Sequence, residues 1–147
     1  MKRHSSLVHL SREHHGALIL SRLLQKDAPA YKELPTDDEG KAAYALKFYR
    51  EELVKHFEDE ERALKLVVGI NDQLDYLITI IFTEHQELHL LFNSIASHPE
   101  LKEHLHSIGK MLEAHVRKEE RELFPLIQET CSEELMTAID HSLTSSL

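Results

Sequence analysis

Glycine and proline are scarce in this chain, with four of each among 147 residues. This scarcity favours long helices over a turn-rich β fold. Cys131 is the only cysteine, so an intrachain disulfide is excluded. Polar and charged residues interrupt the apolar positions of the N-terminus, so no signal peptide is expected. No segment approaches the run of about 18 apolar residues that spans a membrane, and we expect a cytoplasmic protein.

Positive charge is also limited: 17 Lys and Arg stand against 26 Asp and Glu, for a net charge of -9. This balance argues against nucleic acid, whose phosphates need a basic surface, and against anionic membranes. The content of 41% hydrophobic and 29% charged residues fits a single globular domain over residues 1–147. Histidine, by contrast, occurs 12 times and can supply metal ligands near neutral pH.

Hydrophobic periodicity predicts five helices, and four of them are long enough to build a bundle. The expected ranges are about 6–26, 36–68, 72–97, 100–129 and 133–142. Their connections are short. We therefore predict an all-α protein, an antiparallel up-down four-helix bundle with a short extra C-terminal helix.

Local signals mark where these helices should start and stop. Thr36 with Glu39 forms a possible capping box before the second helix, and Gly69 can supply its left-handed C-terminal residue. Asn71 and Ser132 are expected to cap the third and fifth helices. Pro125 lies within the fourth helical pattern and should kink the helix or end it near residue 124.

An internal repeat interrupts the predicted core with polar residues. The core stripe of the second helix is Leu46, Tyr49, Leu53, His56, Glu60, Leu64 and Val67. A matching stripe lies 59 residues later in the fourth helix, with His115 and Glu119 at the same levels. The first and third helices match at an offset of 71, where Glu13–His14 corresponds to Glu84–His85. The third helix adds His89 one turn later.

These polar residues indicate a metal site. An ionised carboxylate in an apolar core costs several kcal/mol unless it is paired or bound. No Lys or Arg on either stripe can neutralise Glu60 or Glu119. The spacing of i and i+4 places His56 with Glu60, and His115 with Glu119, on one helix face. Imidazole and carboxylate together suit iron, manganese or zinc, and the lack of thiolates argues against an iron–sulfur cluster.

A purely structural interpretation remains open for each motif alone, since a lone buried His is usually a core residue and HxxxE is often a solvated pair. Two copies in register, together with HxxxH, favour the metal site. The other polar residues receive the simpler interpretation. We expect a surface position for His4, His9, His98, His104, His106 and His141, and a charged outer face for Glu58, Asp59, Glu61 and Arg62. Cys131 is expected to be an ordinary loop residue.

At these residues the sequence resembles the hemerythrin-like family, the hemerythrin HHE cation-binding domains. The segments "SREHHGAL", "HFEDEE", "FTEHQELH" and "HVRKEERELFP" are similar to its ligand segments, in the same order. The resemblance covers nearly the whole chain and implies an up-down four-helix bundle. It also implies two non-haem iron ions with an oxo or hydroxo bridge.

The resemblance further implies which residues hold each metal. His85, His89 and His115 would bind one iron, and His14 and His56 the other. Two carboxylates would bridge the irons, and the implied set of ligands is His14, His56, Glu60, His85, His89, His115 and Glu119. The iron with two histidines would keep an open position for a small ligand.

Three assignments have alternatives. His15 could replace His14, although the match of Glu13–His14 to Glu84–His85 favours His14. The fourth-helix bridge could be Glu120, at the five-residue spacing of oxygen-carrying hemerythrins, whereas the internal repeat selects Glu119. Tyr49 is either a packing aromatic or a hydrogen-bond donor behind the metal ligands.

Three functions are compatible with such a site. The first is a di-iron protein that binds O2 or a related diatomic for storage, delivery or sensing. The second is a di-iron enzyme of oxidative or nitrosative stress defence, which removes peroxide or nitric oxide or repairs iron centres. The third is a redox-silent bundle that holds iron or zinc. The open position and the lack of an obvious acid–base residue favour the first.

Overall fold

Five helices make up most of the computed structural model, which describes residues 2–144. Helix α1 is Ser5–Leu23, and α2 covers residues 38–65 as Asp38–Phe48, a π-helical turn Tyr49–Leu53, and Val54–Lys65. Helix α3 is Asp72–Asn93, followed by a 3-10 turn at Ile95–Ser97. Helix α4 covers residues 101–130 as Leu101–Lys118, a π-helical turn Glu119–Leu123, and Phe124–Thr130, and α5 is Glu133–Thr144. No strand occurs between residues 2 and 144, which confirms the all-α prediction.

Several helix ends follow the sequence signals. The Asn71 side chain accepts a hydrogen bond from the Leu74 N–H at 3.0 Å, and the Ser132 hydroxyl accepts one from the Leu135 N–H at 3.3 Å. Gly69 has a φ of 90°, a conformation that favours glycine. These three predictions are confirmed.

One other expectation about helix ends is wrong, and one of the two alternatives expected at Pro125 is excluded. The Thr36 capping box does not form, because Asp37 is the N-cap of α2 and makes no side-chain capping bond. Helix α4 does not end near residue 124, because it continues to Thr130. The π-helical turn Glu119–Leu123 comes directly before this last segment, so Pro125 lies in its first turn. Proline is tolerated in the first turn of a helical segment.

The apolar core is divided into two clusters. One joins the N-terminal halves of α1 and α3 to the C-terminal halves of α2 and α4, and α5 covers it. The other joins the opposite halves of the same four helices. Each helix passes from one cluster to the other at its His and Glu segment. The polar residues that interrupt the predicted stripes therefore lie between two apolar layers.

The fifth helix buries a residue that sequence reasoning placed outside. Asp59 is only 2% exposed and forms ion pairs with Lys55 at 2.8 Å and Arg62 at 2.7 Å. Arg62 in turn donates to the carbonyl of Ser142 in α5. The prediction of a charged outer face is therefore wrong for Asp59, because α5 packs over this part of α2.

The histidines predicted for the surface have mixed positions. His141 is exposed, while His4, His9, His98 and His106 are half-buried. His104 is buried, and its Nε2 donates to the Leu91 carbonyl at 2.8 Å, so the surface prediction is wrong for this residue. Cys131 is half-buried between α4 and α5. Within residues 2–144, no helix combines the length and apolar character needed to cross a bilayer.

Candidate metal centre

Four helices bring six of the seven predicted ligands to one place. His14 comes from α1, His56 and Glu60 from α2, His85 from α3, and His115 and Glu119 from α4. They form two groups that share both carboxylates. The first is His14, His56, Glu60 and Glu119, and the second is Glu60, His85, His115 and Glu119. Within each group the candidate ligand atoms lie within 4.8 Å of one another.

The imidazole Nε2 atoms face the carboxylates in both groups. In the second group, Nε2 of His85 is 2.9 Å from Oε1 of Glu60, and Nε2 of His115 is 2.9 Å from Oε1 of Glu119. In the first group, Nε2 of His56 is 3.6 Å from Oε2 of Glu60, and Nε2 of His14 is 3.5 Å from Oε1 of Glu119. One carboxylate from α2 and one from α4 therefore stand between two pairs of histidines.

The inner polar atoms fit a metal because no hydrogen bond satisfies them. Both carboxylate oxygens of Glu60 and of Glu119 are buried without a partner of hydrogen-bond geometry, despite the short distances to imidazole. The same holds for Nε2 of His14, His85 and His115. No Lys or Arg pairs with either carboxylate in the part of the chain that the structure describes. Cations coordinated by these atoms would satisfy both the lone pairs and the charge.

Nδ1 of each histidine donates a hydrogen bond to a carboxylate of another helix. Nδ1 of His56 donates to Glu13 of α1 at 2.8 Å, and Nδ1 of His85 donates to Glu61 of α2 at 2.8 Å. Because Nδ1 carries the proton in these bonds, a metal at the centre would be bound by Nε2.

The same contact is repeated between the remaining helices. Nδ1 of His115 donates to Glu84 of α3 at 2.8 Å, and Nδ1 of His14 donates to Glu120 of α4 at 2.6 Å. The contacts therefore run from α1 to α2, α3, α4 and back to α1. We call Glu13, Glu61, Glu84 and Glu120 the outer carboxylates.

Comparison with known protein families agrees with this centre. The model of the family "Hemerythrin HHE cation binding domain" matches residues 5–127, which is most of the chain. The chain belongs to this family. The resemblance stated from the four ligand segments is thereby confirmed, and the buried His and Glu groups fit a metal-binding protein. Comparisons with curated proteins and with solved structures gave no match.

The charges of the hemerythrin-like centre shift the pKa values of its histidines in the absence of metal. Burial disfavours a charged ring, but the carboxylates of Glu119 and Glu120 raise the pKa of His14 to about 10. His115 is also disfavoured by burial as a cation, yet Glu119 and Glu84 raise its pKa to about 10. Burial and the charge of Glu119 raise the pKa of Glu60. Metal ions would therefore have to displace protons from these rings.

The seventh predicted ligand occupies a different position in the hemerythrin-like domain. His89 is half-buried and belongs to neither group of candidate ligands. Its Nδ1 is 2.5 Å from the hydroxyl of Tyr49, which also accepts a hydrogen bond from Asn93 at 3.3 Å. Phe57 packs against the rings of both His85 and His89. The assignment of His89 as a ligand stays a prediction of the resemblance.

His15 and Glu120, the alternatives to His14 and Glu119, lie outside the two groups of candidate ligands. His15 is exposed, whereas its neighbour His14 is buried at the centre. Glu120 is an outer carboxylate that also accepts hydrogen bonds from Ser11 and Arg3. Glu119 is fully buried between the histidines. The geometry favours His14 and Glu119 as ligands.

Sequence reasoning missed the outer carboxylates as partners of the histidines. Glu61 was predicted on a charged outer face, but it lies half-buried against His85, so that prediction is wrong. A signal was present, since every outer carboxylate is the immediate sequence neighbour of an inner ligand. Glu58, by contrast, is exposed as expected.

Proposed function

We propose that this chain is a non-haem di-iron protein that reversibly binds O2 or a related small diatomic. The observation that carries this proposal is the pair of ligand groups that share Glu60 and Glu119. Two carboxylates common to two histidine pairs are suited to bridge two metal ions. When bound, the two irons supply the electrons and the open coordination position that a diatomic ligand needs.

Iron is compatible with the donor set and with the binding of O2. Nitrogen and oxygen ligands without thiolate suit iron, manganese or zinc, and only a redox-active ion can exchange electrons with O2. His85 and His115 would hold one iron, together with the two carboxylates. His14 and His56 would hold the other, and Glu60 and Glu119 would bridge. An oxo or hydroxo group would complete the bridge, and His89 is a further candidate for the iron of His85 and His115.

The residues of the chain would orient the metals and exclude bulk water. The outer carboxylates would fix each imidazole so that Nε2 faces a metal, and they would keep the proton on Nδ1. The apolar clusters on both sides would keep the centre dry, which limits side reactions of a bound diatomic.

We also propose an arrangement of the helices and a cellular location. The halves joined by each apolar cluster support an antiparallel up-down arrangement of α1–α4, with α5 as the extra helix. We treat the chain as a single hemerythrin-like domain in the cytoplasm. The net charge of -9 supports a protein that does not engage nucleic acid or anionic membranes.

The visible absorption spectrum tests this function. The protein is loaded anaerobically with Fe(II), exposed to air, and then freed of oxygen. A charge-transfer band that appears with air and disappears on deoxygenation is expected. A band that decays irreversibly to a ferric species would favour the stress-defence enzyme instead. No iron-dependent band, with metal still bound, would favour the redox-silent bundle.

A control variant connects the band to this centre. The variant Glu119→Gln keeps the size of the side chain but removes the charge that two metals would share. It should lose the band and bind fewer metal ions. If its spectrum and metal content equal those of the unmodified protein, the band does not arise at this centre.

A further inference from the structure

A cavity adjoins the candidate centre between α1 and α2. Its volume is about 190 Å³, several times that of a diatomic molecule. Glu13 and Gly16 of α1 line one side, and Phe48, Leu53 and His56 of α2 line the other. It thus contacts a candidate metal ligand, His56, and the outer carboxylate that holds it.

The histidine that lines the cavity is also the most exposed of the four. The side chains of His14 and His56 are 3% and 5% exposed, whereas those of His85 and His115 are 0% and 1% exposed. All four histidines are buried, and His14 and His56 are slightly more exposed than His85 and His115. His56, the more exposed of this pair, is the histidine that lines the cavity.

Gly16 and the π-helical turn Tyr49–Leu53 determine the positions of the cavity walls. A Cβ atom at Gly16 would lie 3.1 Å from Cζ of Phe48, so glycine permits the close approach of α1 to this ring. The π-helical turn Tyr49–Leu53 follows Phe48 directly and supplies Leu53 to the wall. π-Helical turns insert an extra residue into a helix and often occur at functional sites.

The lining favours a neutral molecule over an ion. Phe48, Leu53 and Gly16 present apolar surface, and most of the exposed lining is apolar. Three charged residues also line the cavity: Arg12 and Glu52 carry opposite signs, and Glu13 accepts a hydrogen bond from Nδ1 of His56 at 2.8 Å. The lining therefore has no excess of positive charge that would attract an anion. Apolar surface in cavities of similar size takes up neutral gases such as xenon.

We propose that this cavity is the route by which a neutral diatomic molecule reaches the metal held by His14 and His56. This inference rests on the proposed function, since it assigns the path of the same ligand. Phe48 and Leu53 form the apolar walls of the route, and the ring of Phe48 sets its width.

Two substitutions at Phe48 test the route through association rates. Phe48 is only partly buried, so both variants should fold. In stopped-flow experiments with the Fe(II)-loaded protein and O2, Phe48→Trp should slow association about tenfold, as expected if the larger ring raises the entry barrier by about 1.4 kcal/mol. Phe48→Ala should accelerate association. The equilibrium amplitude of the band should change little in either variant, because neither removes a ligand.

Leu91→Ala is the matched control. Leu91 is partly buried against the same apolar cluster as Phe48, but it lies on α3 and does not line the cavity. Its variant should bind O2 at the rate of the unmodified protein. Equal acceleration by Leu91→Ala and Phe48→Ala would show general loosening of the fold and would overturn the route, as would an unchanged rate in Phe48→Trp.

Xenon binding provides a readout that does not depend on metal or O2. Crystals of the unmodified protein under xenon pressure should show a xenon atom in the cavity, and those of Phe48→Trp should not. An empty cavity in the unmodified protein overturns the route, whatever the spectrum shows. If xenon binds but the iron-loaded protein gives no oxygen-dependent band, the proposed function fails and the cavity stands only as a gas site.

Discussion

Glu61 on α2 accepts a hydrogen bond from Nδ1 of His85 on α3 at 2.8 Å. Its sequence neighbour, Glu60, faces the opposite side of the same imidazole, with 2.9 Å between its Oε1 and Nε2 of His85. One helix therefore places a carboxylate beside each nitrogen of a histidine that belongs to the next helix. The hydrogen bond also lowers the pKa of Glu61, so this carboxylate stays charged and keeps its role as acceptor.

Removal of this outer carboxylate should weaken metal binding without removing a ligand. Glu61→Ala is expected to lower metal affinity by about 10- to 100-fold, because the ring of His85 loses its orientation and Nε2 becomes less basic. Glu61→Gln should be less severe, since the amide oxygen still accepts from Nδ1. Titration with Fe(II) under anaerobic conditions measures both. Glu58→Ala, on an exposed residue of the same helix, is the control and should bind metal normally.

A comparison of neighbouring glutamates on α4 tests which one is a ligand. Glu119 belongs to both candidate groups, whereas Glu120 holds His14 from behind. Glu119→Gln should reduce the number of bound metal ions per chain, because both groups share this carboxylate. Glu120→Gln should keep the full number at lower affinity. Metal analysis after dialysis separates the two results, and full retention by both variants would exclude a carboxylate bridge from α4.

The two histidines of HxxxH on α3 differ in burial and should differ in their effect on metal content. His85 is fully buried among the inner ligands, whereas His89 is half-buried with its Nδ1 at the hydroxyl of Tyr49. His85→Ala should lose metal. His89→Ala is expected to retain two metal ions per chain, because no inner carboxylate depends on it. A fall to one bound metal in His89→Ala would establish His89 as the seventh ligand that the family resemblance implies.

Metal uptake should release protons at neutral pH. In the metal-free protein the pKa values of His14 and His115 are about 10, so both rings are protonated at pH 7. A ring must give up a proton before its Nε2 can bind a metal. The apparent affinity should therefore rise with pH, by up to about tenfold per pH unit for each released proton. Calorimetric titrations in buffers of different ionisation enthalpy count these protons, and a buffer-independent enthalpy would contradict the prediction.

The loss of one histidine should also destabilise the metal-free fold. His115→Ala leaves the fully buried carboxylate of Glu119 without its nearest cationic partner. Breaking a buried pair in this way costs about 3–5 kcal/mol. The double variant with Glu119→Gln should recover part of this loss, since the unpaired charge is gone. Urea unfolding of the metal-free proteins measures both effects, and equal stability of the single and double variants would contradict the argument.

The inner ligands could be predicted because they interrupt a regular pattern. His56 and Glu60 occupy positions where the 3- and 4-residue spacing of α2 demands apolar side chains, and no cation compensates them. The same spacing of His and Glu in α4 predicted His115 and Glu119. Asn71, Gly69 and Ser132 were predictable for a similar reason, since caps depend on a few adjacent residues.

Features that depend on a neighbouring helix could not be predicted from periodicity. Asp59 and Glu61 lie on the charged face of α2 when the helix is considered alone. Only the position of α5 buries Asp59, and only the position of His85 gives Glu61 a partner. The π-helical turns were missed as well, because neither residue propensity nor hydrophobic spacing marks an inserted residue.

The side on which the outer carboxylate flanks an inner ligand in the sequence alternates from one helix to the next. The outer carboxylate precedes the ligand in Glu13–His14 and Glu84–His85, and follows it in Glu60–Glu61 and Glu119–Glu120. One step along a helix turns a side chain by about 100°, clockwise or anticlockwise depending on which end of the helix is viewed. If neighbouring helices run antiparallel, as we propose, a circuit of contacts with a single sense of rotation requires this alternation. A related sequence with the carboxylate always on the same side of its ligand would be unable to close the circuit.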